Sequence, residues 1–261
     1  METLKLSNQN GVLTVELNRP DVRNAFNEVL IGELLETFEK VGSDKSVRVI
    51  VLRGSGKLFC AGGDLNWMKK SKELTGEANY NDTRRLTKMF DTMNSCPKPI
   101  VGLIHGAAIG GGVGLVSVCD YVIASAETTF SLSEVRLGII PACIGPFVLA
   151  KIGESHARSL FISAERFTAQ RALEVGLVHE LVESHEALDV AYSLITKNML
   201  ECGPNAQAAV KKLISGMKQK KTHAEALEFV ACMLADLRVT PEGQEGLSAF
   251  LEKRKPNWIK E

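Results

Sequence analysis

Apolar and polar positions alternate over residues 11–17, the period of a strand with one covered face. Residues 48–52 and 100–104 are instead near-continuous β-branched or aliphatic runs, which predict strands buried on both faces. Residues 18–23 read as a turn, while 27–41 and 83–93 repeat their apolar positions at helical spacing. A short helical stretch is expected from Leu65, an apolar helix over 111–119, and short strands at 121–124 and 129–131. From Pro141 the pattern turns helical: 145–152, 157–162, 169–175, 186–200, 206–216, 224–237 and 241–252, with one late strand at 178–182. This order predicts an α/β core, placed at 1–200, followed by a helical carboxyl-terminal region, 201–261. No internal repeat or low-complexity linker stands out.

Composition narrows the partners. The 261 residues are 45% hydrophobic and 24% charged, ordinary values for a globular chain. Lysine plus arginine equals aspartate plus glutamate at 31 each, so neither nucleic acid nor a membrane surface is an expected partner. No apolar run approaches the roughly 20 residues that span a bilayer, and neither end carries a signal core or lipidation motif. Six scattered cysteines without a C-x-x-C read as reduced, mostly buried thiols, which points to a cytoplasmic location.

Three segments carry candidate chemistry. The stretch His105-Gly-Ala-Ala-Ile-Gly-Gly-Gly-Val-Gly114 follows a buried strand and opens an apolar helix. Glycine is costly in a helix, so its clustering there implies either close helix packing or close approach of a ligand to backbone N–H groups. Such groups at a helix start can hold a phosphate or a developing oxyanion. A dinucleotide fingerprint is incomplete, because Leu115 stands where the third glycine belongs. A second strand-to-glycine-to-helix junction is Leu58-Phe-Cys-Ala-Gly-Gly-Asp-Leu65, with Asp64 placed to cap the helix. The third, Phe130-Ser-Leu-Ser-Glu-Val-Arg-Leu-Gly-Ile-Ile-Pro141, sets Glu134 and Arg136 among apolar residues. A carboxylate there is either an ion-paired surface group or an acid/base whose pKa is raised by burial.

These segments, in this order, resemble the enoyl-CoA hydratase/isomerase family, the crotonases, over nearly the whole chain. Asn18-Arg-Pro-Asp-Val-Arg-Asn-Ala25 resembles the family's first CoA-binding turn, and Phe59-Cys-Ala-Gly-Gly-Asp-Leu65 its first oxyanion segment. Residues 106–115 match the second oxyanion segment, and Ala249-Phe-Leu-Glu-Lys-Arg-Lys-Pro256 the carboxyl-terminal helix. The resemblance implies an α/β crotonase-like spiral of β-β-α units, with carboxyl-terminal helices packing into a homotrimer or a hexamer of paired trimers. It implies an acyl-CoA thioester as partner, coenzyme A being part of the substrate and no separate cofactor being needed. Backbone N–H groups of Gly63 and Gly111 would form the oxyanion hole. Val22, Arg23, Ala61, Gly63, Asp64, Leu65 and Gly111 would contact substrate, mostly through backbone. Lys253 would either reach the nucleotide phosphates, across a subunit boundary, or stand solvated in a charged tail.

One departure bears on the reaction. Hydratases of this family with two glutamates carry the first just after the triple glycine, where this chain has Gly114; the second position is Glu134. Three readings follow. Glu134 alone serves hydration, and the surrounding residues resemble bacterial 3-methylglutaconyl-CoA hydratases and related branched-chain hydratases. Arg136 would then face either a substrate carboxylate or a structural acid. Alternatively Glu134 shuttles a proton between carbons, as in single-glutamate enoyl-CoA isomerases. The reading from another class is a non-catalytic CoA-binding protein. His105 reads as a strand-end histidine, no His or Cys pair has metal-ligand spacing, and Ser95 and Ser133 lack triad partners. Cys143 is placed to line an acyl pocket without a catalytic role.

Overall fold

A computed structural model describes residues 1–259. Its strands are β1 (Leu4–Gln9), β2 (Val12–Leu17), β3 (Val49–Gly54), β4 (Ile100–Ile104), β5 (Ala107–Ile109), β6 (Tyr121–Ser125), β7 (Thr129–Ser131), β8 (Arg166–Thr168) and β9 (Glu180–Val182). Its helices are α1 (Glu28–Val41), α2 (Leu65–Ser71), α3 (Gly76–Asn94), α4 (Gly111–Ser117), α5 (Gly145–Ser163), α6 (Ala169–Glu174), α7 (Leu188–Glu201), α8 (Pro204–Met217), α9 (His223–Arg238) and α10 (Pro241–Leu251). Among the described residues, no helix is long and apolar enough to cross a membrane.

The main sheet runs β1-β2-β3-β4-β6-β9, parallel throughout except for the β1–β2 hairpin. Its central strands are covered on both faces, as their unbroken apolar runs predict. Alternation along β3 and β4 sends Ile50, Leu52, Ile100 and Ile104 into the large core. Val49, Val51, Val101 and Leu103 enter a second core closed by α7.

A smaller sheet, β5-β7-β8, forms the second layer. Isolated parallel bridges extend it, Cys60 with Ala108 and Phe26 with Gly63. Each long strand therefore leads to a short second-layer segment and then a helix. β2 leads to Phe26 and α1, β3 to residues 60–63 and α2, and β4 to β5 and α4. β6 leads to β7, a 3-10 turn at Glu134–Leu137, and α5. This is the expected β-β-α spiral. The repeat lies in backbone pairing rather than in side chains, which is why the sequence does not display it.

Three strands escape the hydrophobic pattern. β1 buries only Leu4, and β5 and β8 are three residues each. α3 starts at Gly76, ahead of the expected 83, because Thr75 caps a polar first turn by accepting from Ala78 N–H. The two helices expected at 145–152 and 157–162 meet at Gly153, whose φ of 74° and ψ of 165° break the helix within α5. The last three helices pack on one another.

Candidate active site

The glycine segments lie at the carboxyl ends of β3 and β4, the edge where open parallel sheets place ligands. The first is built on a polar scaffold. Asn24, fully buried in left-handed backbone (φ 54°), donates from Nδ2 to the carbonyls of Ser55 and Leu58. Arg19 donates to Ala25 O and, at 3.0 Å, to the Asp64 carboxylate. Asp64 caps α2 as expected, accepting from Asn66 and Trp67 N–H. Burial alone would raise its pKa, but those N–H donors and Arg19 outweigh it and hold the carboxyl below its usual range. Arg19 and Asn24 belong to the turn segment that the sequence singles out, yet their part as struts is visible only once the loops meet.

The Asp64 carboxylate is thus taken up by protein partners, and its N–H donates to Phe26 O. Phe26 N–H in turn donates to Gly62 O, so the Gly63 amide between these two bonds faces away from Phe26. The expected contact residues Val22 and Arg23 sit beside this segment, because Arg23 O accepts from Ala61 N–H at 3.0 Å. Leu65 opens α2 and is 75% exposed. Cys60 is sealed beneath, its thiol donating to Asn24 O and pushed up to about 12 by burial.

The second segment closes over the first. Gly110, at φ 52° and ψ −117°, adopts a conformation that side chains disfavour. It delivers Gly111 as the first residue of α4, where an N–H has no acceptor within its own helix. A methyl placed on Gly62 would stand 3.9 Å from the Gly111 nitrogen, and one on Gly112 would stand 2.7 Å from Cys60 O. The two junctions are therefore in contact, as glycine at these positions requires.

Glu134 faces this junction from the start of the 3-10 turn. Its Oε1 is the nearest atom, at 3.1 Å, to a methyl built on Gly110. Its Oε2 is buried and has no hydrogen-bond partner among the described residues. Burial pushes this carboxyl above the ordinary carboxylate range, offset only in part by its own N–H. A half-buried acid with one unpartnered oxygen, beside the two glycine segments, can accept a proton from a bound ligand or return one.

Other candidates fall elsewhere. Arg136 meets no acid among the described residues: its Nε and Nη2 donate to Ala164 O at 3.2 and 3.1 Å. Cys143 packs against the large core. His105 is buried, hydrogen-bonded to Gly56 O and stacked on His185 at 3.9 Å between ring centroids. Lys253 follows α10, which packs on α8 and α9. Gly114 proves to be tightly enclosed, for a methyl there would stand 2.3 Å from Ile144 Cγ2 and 2.9 Å from the Phe90 ring. Neither filler was suggested by the sequence, since each lies more than twenty residues away.

The family model for enoyl-CoA hydratase/isomerase matches residues 7–261. A 2,3-dehydroadipyl-CoA hydratase of Escherichia coli is 35% identical, over 99% of each chain. A mitochondrial Delta(3,5)-Delta(2,4)-dienoyl-CoA isomerase of Mus musculus is 32% identical, over 95% of this chain and 79% of that protein. The crystal structure of an enoyl-CoA hydratase from Shewanella pealeana superposes with a TM-score of 0.95 at 38% identity, covering 98% of this chain and 96% of that one. A spiral of this form, matched along nearly its whole length by sequence and by structure, places the chain in the enoyl-CoA hydratase/isomerase family, the crotonases.

Proposed function

We propose that the protein reversibly hydrates a 2-enoyl-CoA, with Gly63 and Gly111 N–H groups stabilising the thioester enolate and Glu134 acting as acid/base. The observation that carries this reading is the half-buried Glu134 carboxyl, one oxygen of which is buried without a partner among the described residues, against the Gly110 loop. Adding water across the conjugated bond moves negative charge onto the thioester oxygen, and two fixed donors favour that state over the substrate. Val22, Arg23, Ala61 and Leu65 would line the CoA arm, Asp64 would hold its segment in place, and Lys253 would serve the nucleotide phosphates. The name of the Escherichia coli relative supports hydration. A branched or carboxylated substrate such as 3-methylglutaconyl-CoA is the narrower form of the proposal. Arg136 gives it little help, since its guanidinium already serves Ala164 O.

A second reading, double-bond isomerisation, is favoured by the packing around Gly114. Phe90 and Ile144 occupy the space that a second carboxylate would need, and moving a proton between two carbons needs only one. In heavy-oxygen water, 3-methylglutaconyl-CoA and short-chain 2-enoyl-CoAs are expected to yield 3-hydroxyacyl products carrying the label. Unlabelled conversion of a β,γ-enoyl-CoA to its conjugated isomer, with no hydration of any substrate, would replace the first reading by the second. CoA affinity without turnover on the whole panel would leave only a binding protein.

The oligomer belongs to the same proposal. Val239, Phe250 and Leu251 in the carboxyl-terminal region are 77–80% exposed, and an apolar groove between α8 and α9 is lined by Val210, Leu213, Leu234 and Leu237. Such surfaces are costly to leave in water. Light scattering is expected to give three or six times the chain mass, and a monomer at micromolar concentration would contradict this.

A further inference from the structure

The 3-10 turn that carries Glu134 has no buried residue to anchor it. Its backbone bonds stay local: Arg136 N–H to Ser133 O, Gly138 N–H to Val135 O and Ile139 N–H to Glu134 O. Local bonds fix the shape of a turn but not its place. The side-chain bonds that leave this turn come from Arg136, whose Nε and Nη2 both donate to Ala164 O.

That acceptor is well founded. Ala164 is buried, ends α5, and holds left-handed backbone at φ 49°, which is uncommon for alanine. The same carbonyl accepts from Ser131 Oγ at 3.4 Å, and Ser131 O accepts from Gly110 N–H at 2.8 Å. One oxygen therefore connects the turn bearing Glu134 to the loop that presents Gly111. We propose that Arg136 is a positioning residue that sets the Glu134 carboxyl against the oxyanion loop by clamping its turn to Ala164. A guanidinium suits this task, because its rigid fork places two donors on one acceptor. The inference rests on Glu134 being the acid/base.

The test uses the full chain with crotonyl-CoA as probe. Arg136→Met is expected to lower kcat about 100-fold, the scale of a misplacement near 1 Å, with KM changed less than about twofold because binding contacts lie elsewhere. The acid limb of the kcat profile should move to lower pH as water reaches the loosened carboxyl. Arg136→Lys, keeping one donor, should recover part of kcat. In a Glu134→Gln background, Arg136→Met should cost nothing further. Unchanged kcat and pH limb, a rise in KM alone, or an undiminished additional loss in the Glu134→Gln background would each overturn the role of Arg136. If Glu134→Gln itself keeps full turnover, the acid/base reading fails, and this inference with it. Turnover lost in Glu134→Gln but kept in Arg136→Met removes the inference alone.

Discussion

Glu134→Gln is expected to lower turnover of every active thioester by about 10²–10⁴-fold, the range for a positioned general acid or base. Affinity for the CoA portion should hardly change, because Gln keeps the shape and the oxyanion amides are untouched. The same substitution should stabilise the fold. The wild-type carboxyl has a buried oxygen with no partner and a raised pKa. Its folded pKa lies above the unfolded one, so its contribution is most favourable when protonated and is lost as pH rises through that window. A neutral amide lacks this loss, and urea midpoints from pH 4 to 8 should show a gain on the order of 0.5–1 kcal/mol at neutral pH. In the hydration direction the base must start ionised, so kcat/KM for wild type should fall below a pH that lies above the ordinary carboxylate value. A variant with wild-type turnover removes Glu134 from the mechanism.

Gly114→Glu should not create a two-carboxylate enzyme; it should damage the fold. The first carbon of any side chain there meets Ile144 and Phe90, and neither can move aside easily. Ile144 is 3% exposed, and Phe90 is fully buried, edge-on to Phe26 at 6.1 Å and tilted against Phe147. Overpacking of this kind costs about 1–3 kcal/mol, and burying an unpaired carboxylate adds further cost. We expect a total of at least about 3 kcal/mol, or roughly 6–12 °C in melting temperature for a chain of this size. Wild-type stability in this variant would show that the pocket yields more than its contacts suggest.

The sequence makes Gly114 legible only as a missing carboxylate. Phe90 comes from α3 and Ile144 from the start of α5, and no local pattern joins them to the glycine loop. The glycine junctions are legible because backbone geometry forces residue choice there, as at Gly110. The parallel strands are legible because burial on both faces leaves unbroken apolar runs. β1 is not, since an edge strand with one buried residue carries no such mark. Arg136 illustrates the remaining gap. Its charge invites a search for an acid, whereas the fold gives it a carbonyl 28 positions away.

Cys60 lies buried at the glycine junction, bridged to Ala108. The substrate of the proposed function, a conjugated thioester, is an electrophile at its β-carbon, and a thiolate beside it would be alkylated. Only the ionised sulfur attacks, and burial, which pushes the Cys60 thiol up to about 12, keeps it protonated at neutral pH. On the proposed function, the burial of Cys60, whose thiol donates to Asn24 O, would keep this sulfur from being alkylated during turnover.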